Sequence, residues 1–288
     1  MKYAFIQKHT TRWCIKTQCR VLNVSRSGYY RWFTRAPSVH QQYRDQLDPK
    51  IVSIFTAHKA RYGSPRITDA LRDAGEAINH KRIEKRMKAL NIRAKHAKKF
   101  KRTTDSNHRL TVAVNRLAQD FSAVKPNQKW VGDITYVWTR SGWLYVAVVI
   151  DLFSRQVIGW SMSQRITKQL VCDALTMALW RRHFPKGVIV HSDRGSQYCS
   201  KQYQQQLKDH DLLCSMSGRG NCYDNAVAES FFRSLKIECL YDYVFQDRET
   251  AQRIIFEYIE IYYNQQRKHS TIKYKTPMQY EALYYQSS

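Results

Sequence analysis

Long apolar runs are missing from this chain. Its 288 residues hold no segment near the roughly 18 consecutive apolar residues that a membrane-spanning helix needs. The longest run, Leu144 to Ile150, reads as a buried strand. Met1 to Lys8 lacks the apolar stretch of a secretory signal. No Walker-type glycine loop occurs, so nothing points to use of a nucleotide energy source. Pairing signals among the cysteines are missing too. The seven, Cys14, Cys19, Cys172, Cys199, Cys214, Cys222 and Cys239, are odd in number and include no Cys-x-x-Cys pair. That argues against a disulfide framework and against a zinc ribbon. His9 with Cys14 and Cys19 lacks the spacing of a zinc site, so no structural zinc is expected. A reducing cytoplasm is the simplest location.

Acidic residues are the other shortage. Asp and Glu number 23 against 48 Lys and Arg, a net charge of +25. The imbalance is uneven: residues 1–110 carry 26 basic and 7 acidic side chains, and residues 111–288 carry 22 and 16. Solubility rarely needs so large a single-sign excess. A polyanionic partner held mainly by the first third is implied, nucleic acid before an anionic membrane. The hydrophobic fraction of 43% is ordinary for a globular protein. The 19 Tyr and 7 Trp supply rings suited to half-buried surfaces or to stacking on bases.

Along the chain, residues 14–33 read as a short helical pair broken at Asn23-Val24, with Ser25 capping the second helix. Residues 45–92 form a second helical unit. Ile51, Ile54 and Phe55 share a face, Ser64 and Pro65 open a helix containing Ile67 and Leu71, and Gly75 breaks it. Asn79 then caps a helix with Ile83, Met87 and Leu90 inside and Lys81, Arg82, Lys85, Arg86 and Lys88 on its other face. Two helices about a glycine turn, the second basic, fit a DNA-binding helix-turn-helix, with a plain three-helix bundle as the bland alternative. Residues 93–128 look like a mobile basic linker in which Lys95, Lys98, Lys99, Lys101 and Arg102 track a phosphate backbone.

From residue 129 the texture becomes strand-like. Trp130 to Trp138, Trp143 to Leu152 and Gln156 to Met162 read as an antiparallel meander. A helix over 168–183, a strand at Val188 to His191, a helix at Ser200 to His210, a strand at Leu212 to Met216 and a helix at Tyr223 to Leu240 follow. Arg248 to Tyr263 adds another. The order βββ-α-β-α-β-α matches the ribonuclease-H-like fold, an α/β mixed sheet with helices on its faces, here preceded by a small all-α region. The expected division is 1–40 helical segment of helix-turn-helix type, 41–92 helix-turn-helix DNA-binding domain, 93–125 basic linker, 126–242 catalytic core and 243–288 helical extension.

Three acids stand out. Asp133 lies within the strand Trp130-Val131-Gly132-Asp133-Ile134-Thr135-Tyr136, where an isolated carboxylate costs free energy unless paired or metal-bound. Asp193 follows a strand tip in His191-Ser192-Asp193-Arg194-Gly195-Ser196-Gln197-Tyr198. Glu229 sits on a helix in Asp224-Asn225-Ala226-Val227-Ala228-Glu229-Ser230. Two-metal phosphodiester cleavage needs hard oxygen ligands on rigid elements. Taken singly, each acid also has a structural reading: a buried ion pair, a turn residue or a surface helix residue.

These segments, with Ser217 to Phe232 and the tail Tyr263-Asn264-Gln265-Gln266-Arg267-Lys268-His269-Ser270 followed by Thr276-Pro277, resemble an insertion-sequence transposase of the acid-triad integrase superfamily. The second-frame product of a large bacterial insertion-sequence family is the nearest likeness, and it covers nearly the whole chain. The resemblance implies that Asp133, Asp193 and Glu229 ligate two Mg²⁺ (or Mn²⁺) ions. It implies that Lys236, seven residues after Glu229 and so on the same helix face, contacts a DNA end. Asp151, Asp224 and Glu238 match no ligand position, though Asp224 is placed to cap the Glu229 helix. Arg194, Gln197, Tyr198 and Asn225 are candidates to contact the DNA end or support the acids. The implied activity is 3′-end cleavage and strand transfer on terminal inverted repeats and target DNA, by a homo-oligomer in the bacterial cytoplasm at the nucleoid. The implied route passes through a circular element intermediate. An upstream-frame partner or frameshift fusion is also implied; this chain shows no obvious heptad run. The competing readings are a sequence-specific regulator with an inert second domain, a ribonuclease H or repair nuclease, and a folded but immobile remnant.

Overall fold

The protein is described by a computed structural model covering residues 1–96, 113–218 and 222–287. It opens with α1 (Lys2–Lys8), α2 (Ile15–Val21) and α3 (Arg26–Thr34). Asn23, at φ 52°, turns the chain between α2 and α3, and Ser25 Oγ accepts from Gly28 N at 3.0 Å as the expected cap. Ile6, Cys19 and Tyr29 close a small core of their own. The sequence reading has no counterpart of α1, because only Ile6 of its residues is buried and one buried position sets no periodicity.

The second helical unit comprises α4 (Val39–Ala57), α5 (Ser64–Asp73) and α6 (His80–Ala89). Helix α4 starts at Val39, before the expected 45, because Ser38 caps it through Gln41 N at 3.2 Å. Gly75, at φ 88°, takes the left-handed turn that closes α5, and Asn79 Oδ1 caps α6 by accepting from Arg82 N at 3.0 Å. Leu47, Ile51, Ile67, Leu71, Ile83 and Met87 fill the interior.

The α/β part is a five-stranded mixed sheet of β1 (Lys129–Thr139), β2 (Gly142–Asp151), β3 (Val157–Ser163), β4 (Ile189–Ser192) and β5 (Leu213–Met216), in the order β3-β2-β1-β4-β5. The first three strands pair antiparallel; β4 runs parallel to β1, and β5 parallel to β4. This is the ribonuclease-H-like arrangement expected from the element order. The alternation of β2 divides the core. Val146, Val148 and Ile150 face α9 (Ala226–Glu238) and α10 (Arg248–Phe256), while Ala147 and Val149 face α7 (Lys168–Arg181) and α8 (Lys201–Asp209). Helix α7 lies almost on the backbone of β3, where a Cβ on Gly159 would stand 2.2 Å from the Ala174 carbonyl oxygen.

Two segments differ from expectation. From residue 113 the predicted mobile linker is held: Leu117 is buried, and Arg116 N and Leu117 N donate to Ser215 Oγ at 2.9 and 3.2 Å. The helix expected over 248–263 changes to π-helical geometry at Glu257–Tyr263. A final helix, α11 (Pro277–Ser287), follows a 3-10 turn at Ser270–Ile272.

The helical unit docks on the α/β part through the tail motif. Tyr62 Oη donates to the Gln266 carbonyl at 2.8 Å and accepts from Lys268 N at 3.1 Å. Arg66 Nε donates to the Lys268 carbonyl at 2.9 Å, and Lys268 Nζ pairs with Asp69 and Asp73. Beneath them Glu238, at the end of α9, accepts from Arg267 Nε and Nη2 at 2.8 Å each and from Tyr258 Oη at 2.9 Å. Arg66 Nη1 lies 3.3 Å from the same carboxylate.

Candidate active site

The register of β1 on β4 sets the first two acids side by side. Gly132 pairs with Ser192, the last residue of β4, so Asp133 and Asp193 are the residues that follow the last pair of the two neighbouring strands. Asp133 Oδ1 accepts from Ile134 N at 2.8 Å. Asp193 Oδ1 accepts from Gly195 N at 2.9 Å. A Cβ at Gly195 would press on that carboxylate oxygen at 3.0 Å, so the glycine lets the turn close over Asp193.

The third acid comes from α9. Asn225 Nδ2 donates to the Gly132 carbonyl at 3.3 Å, pinning the start of α9 to β1 one residue before Asp133. Glu229 stands one turn on, solvent-exposed. Asp224 does not cap this helix as expected. It is buried, and Oδ2 accepts from Gly218 N at 2.7 Å and Asn115 Nδ2 at 3.0 Å. Asp151 is a structural acid, accepting from Asn127 N and Phe153 N at 2.9 Å each with Arg182 at 3.7 Å.

Electrostatics tie the three carboxylates together. Burial pushes Asp133 well above the ordinary carboxylate range, and the charges of Asp193 and Glu229 push it further, against the Ile134 N–H and Lys236. Lys236 is lowered by burial while Asp133 acts to raise it. Its Nζ lies 5.4 Å from the Tyr136 ring centroid. Among the described residues no three His, Cys, Asp or Glu side chains are gathered closely enough to hold a metal ion. In chemical type the donors suit divalent cations: all three are hard carboxylates, Asp193 and Glu229 both act on Asp133, and positive charge beside Asp133 would relieve that repulsion.

Around the acids the residues sort by contact. Tyr198 is buried beneath Gly132, whose Cβ would meet the ring and hydroxyl at 3.5 Å, and it lies within the fields of Asp133 and Asp193. Arg194 Nε donates to the Ser217 carbonyl at 2.7 Å. His191, below Asp193, joins Ser215 and Ser217 Oγ at 2.8 and 3.2 Å, and burial pushes it down to about 4. Gln197 is half-buried beside the Gly195 turn.

Of the basic residues expected to meet DNA, Lys81, Arg82, Lys85 and Lys88 are exposed on α6, with Arg82 4.9 Å from the Tyr43 ring centroid. Arg86 is instead bound by Asp48 of α4, at 2.8 and 2.5 Å. Lys98, Lys99, Lys101 and Arg102 lie outside the described residues. The pinning role of Asn225, the turn glycine and the Glu238 network are details that residue type alone does not reveal.

Comparison with known proteins agrees in extent. An integrase core domain model matches residues 123–222, a second integrase core domain model matches 229–283, and an HTH-like domain model matches 42–100. The chain is 53% identical over 283 residues to the transposase InsF for insertion sequence IS3A of Escherichia coli (strain K12), covering 98% of each. It is 43% identical to an uncharacterized 31 kDa protein of insertion element IS600 from Shigella sonnei, covering 93% of this chain and 98% of that one. Among solved structures it is similar to the HTLV-2 integrase catalytic core domain in complex with magnesium. There the TM-score is 0.41 and the identity 20%, covering 55% of this chain and 98% of that one. It is also similar to a simian T-cell lymphotropic virus intasome, with TM-score 0.46, 20% identity, and 81% and 74% covered.

Proposed function

Because the chain belongs to the IS3-type insertion-sequence transposases and carries an integrase core, it is a DNA-processing enzyme, and we propose that it cuts the 3′ ends of its element and joins them to new DNA at Asp133, Asp193 and Glu229. The observation that supports this reading is electrostatic: beyond the effect of its burial, Asp133 is raised by the charges of both Asp193 and Glu229. These carboxylates would hold two Mg²⁺ or Mn²⁺ ions, which when bound supply activation of water and stabilisation of the leaving 3′-oxygen. In the first reaction water attacks the phosphodiester at the element end and a 3′-hydroxyl is freed. In the second that hydroxyl attacks another phosphodiester, displacing a different 3′-oxygen, so no external energy source is required. Joining one end to its partner, which gives a circular intermediate, is itself an attack of this second kind and precedes integration into new DNA.

The chain's own residues hold the substrate. Lys236 presents its ammonium beside Asp133, where a phosphate of the element end would sit. Asn225 and the Gly195 turn keep the carboxylates in place. The exposed Lys81, Arg82, Lys85 and Lys88 of α6 supply phosphate contacts along the duplex, and Lys98, Lys99, Lys101 and Arg102 add to them; Lys95, expected to join that track, is instead paired with Asp242. In this reading residues 1–92 hold terminal inverted repeats, 126–242 perform the chemistry and 243–288 brace the two. Joining two ends calls for a homo-oligomer on DNA, with an upstream-frame protein as partner or fusion, in the bacterial cytoplasm at the nucleoid. No described helix is long and apolar enough to cross a membrane.

The test is Asp193→Asn in a strand-transfer assay with Mg²⁺. A loss of at least about a hundredfold is expected, with duplex binding retained; activity above about a hundredth of the unaltered protein's would refute the assignment.

A further inference from the structure

Three large rings lie open to solvent where β1 turns into β2. Tyr136 is 38% exposed, Trp138 58% and Trp143 42%. Tyr136 and Trp138 are two apart on β1, and Trp143 is the cross-strand partner of Trp138, so all three stand on one face of the hairpin. They touch edge to face: the Trp143 ring centroid is 4.7 Å from that of Trp138 and 5.1 Å from that of Tyr136. A contiguous exposed apolar surface marks an interaction site.

Its surroundings say what it meets. Lys236 Nζ lies 5.4 Å from the Tyr136 ring centroid and also interacts with Asp133, so one ammonium bridges the rings and the acids. Arg248 Nε donates to the Trp143 carbonyl at 3.0 Å, placing a second cation at the far margin. Rings bordered by cations, in a protein of charge +25, match the chemistry of an unpaired nucleic-acid strand: cations for its phosphates, ring faces for its bases. Distance fixes which bases. At ~3.3 Å per strand residue, Tyr136 is ~10 Å and Trp138 ~17 Å along β1 from Asp133, and strand alternation sets them on the face opposite to it, so a strand leaving the acids rounds the edge of β1 beyond its pairing with β4 to reach them. Stacked bases repeat at ~3.4 Å, so the rings lie at least roughly three nucleotides from a phosphate at the acids.

We infer that Tyr136, Trp138 and Trp143 form a stacking ledge for unpaired bases at least about three nucleotides from the reacting phosphate, reached by the strand as it rounds the edge of β1 past Lys236. The inference rests on the DNA-end reading above and adds to it that the terminal base pairs are opened. A duplex end cannot lay base faces on the ledge while its pairs are intact. Opening them exposes the faces, and stacking offsets the cost.

The experiment is fluorescence anisotropy with the full chain, in EDTA. One DNA is fully paired; two others carry five unpaired nucleotides at one end, on either strand. Because stacking tolerates any sequence, no particular element end is required. The unaltered protein is expected to bind one of the unpaired ends at least ~10-fold more tightly than the paired end, the order expected for a single stacked base. W138L/W143L should lose that preference while binding paired DNA within about twofold, and W138F/W143F should keep most of it. Sedimentation of both variants tests the other occupant, a second copy of the chain. Equal affinities in the unaltered protein, or a preference that survives in W138L/W143L, overturn the ledge. So does a change of oligomeric state in W138L/W143L with the preference intact. Since binding is read without divalent cations, a protein that never cuts DNA would sink the proposed reaction and leave the ledge standing. Equal affinities would do the reverse.

Discussion

Replacing Glu238 by alanine removes the acid on which the helical unit, α9 and the tail converge. Glu238 is 6% and Arg267 4% exposed, so the change strands a buried guanidinium without its counter-charge. It also removes partners of Tyr258 and Arg66. Breaking a buried, hydrogen-bonded ion pair from one side costs about 3–5 kcal/mol. At about 2–4 °C per kcal/mol, the melting temperature falls by about 6–20 °C. Thermal unfolding of Glu238→Ala, Arg267→Ala and the double variant measures this. The double variant should lose clearly less than the two single losses added, because it leaves no unpaired charge behind. The pH dependence gives a second reading. Burial alone would raise the Glu238 carboxyl, but the Arg267 charge and hydrogen bonds, with Arg66 and Tyr258, carry it below the ordinary value. A depressed folded-state value means the unfolded chain takes up the proton first as pH falls. The stabilisation is therefore complete above the ordinary Glu range, about 4.3, and fades as pH drops toward the folded-state value. Glu238→Ala should lack that acid-side fade. A single-variant loss under about 1 kcal/mol, or strictly additive losses, would refute the reasoning.

Other outcomes separate contact from support. Lys85→Ala and Lys88→Ala should weaken duplex binding and lower the slope of log affinity against log salt by about one each. Arg86→Ala should instead lower the melting temperature with little change in slope, because Asp48 already holds that guanidinium; a slope change as large as that of Lys85→Ala would contradict this. Gly159→Ala places a methyl group 2.2 Å from the Ala174 carbonyl and 2.8 Å from Ala178 N. Overpacking should cost about 1–3 kcal/mol in urea unfolding, and an unshifted midpoint would disprove the close seating of α7 on β3.

Much of this arrangement is legible in the chain because it is written in local pattern. The Leu144 to Ile150 run becomes the buried stretch of β2, and Asn79 and Ser25 cap the helices they precede. An acid inside an apolar strand signals Asp133 before any coordinates. What is not legible depends on partners far apart in sequence. Nothing near Arg86 distinguishes it from Lys85, yet Asp48 claims it from 38 residues away. Glu238 looks like a helix-end acid until Arg267 and Arg66 arrive from 29 and 172 residues away. Asp224 reads as a cap because it precedes a helix, but Gly218 N and Asn115 outbid that use. The ledge rings read as strand formers, since Tyr and Trp favour strands whether or not anything covers them.

The seat of Tyr62 and Arg66 on the tail also limits how this protein can be rebuilt. Swapping in the DNA-reading helices of another enzyme, to redirect it to a different address, carries away the hydroxyl and guanidinium that Gln266 and Lys268 receive. A chimera joined anywhere between residues 58 and 69 would inherit a foreign surface against that receiver. Retargeting by exchange therefore has to transplant the tail along with the reader, or keep Tyr62 and Arg66 of the host as the fitting on which the new reader is mounted.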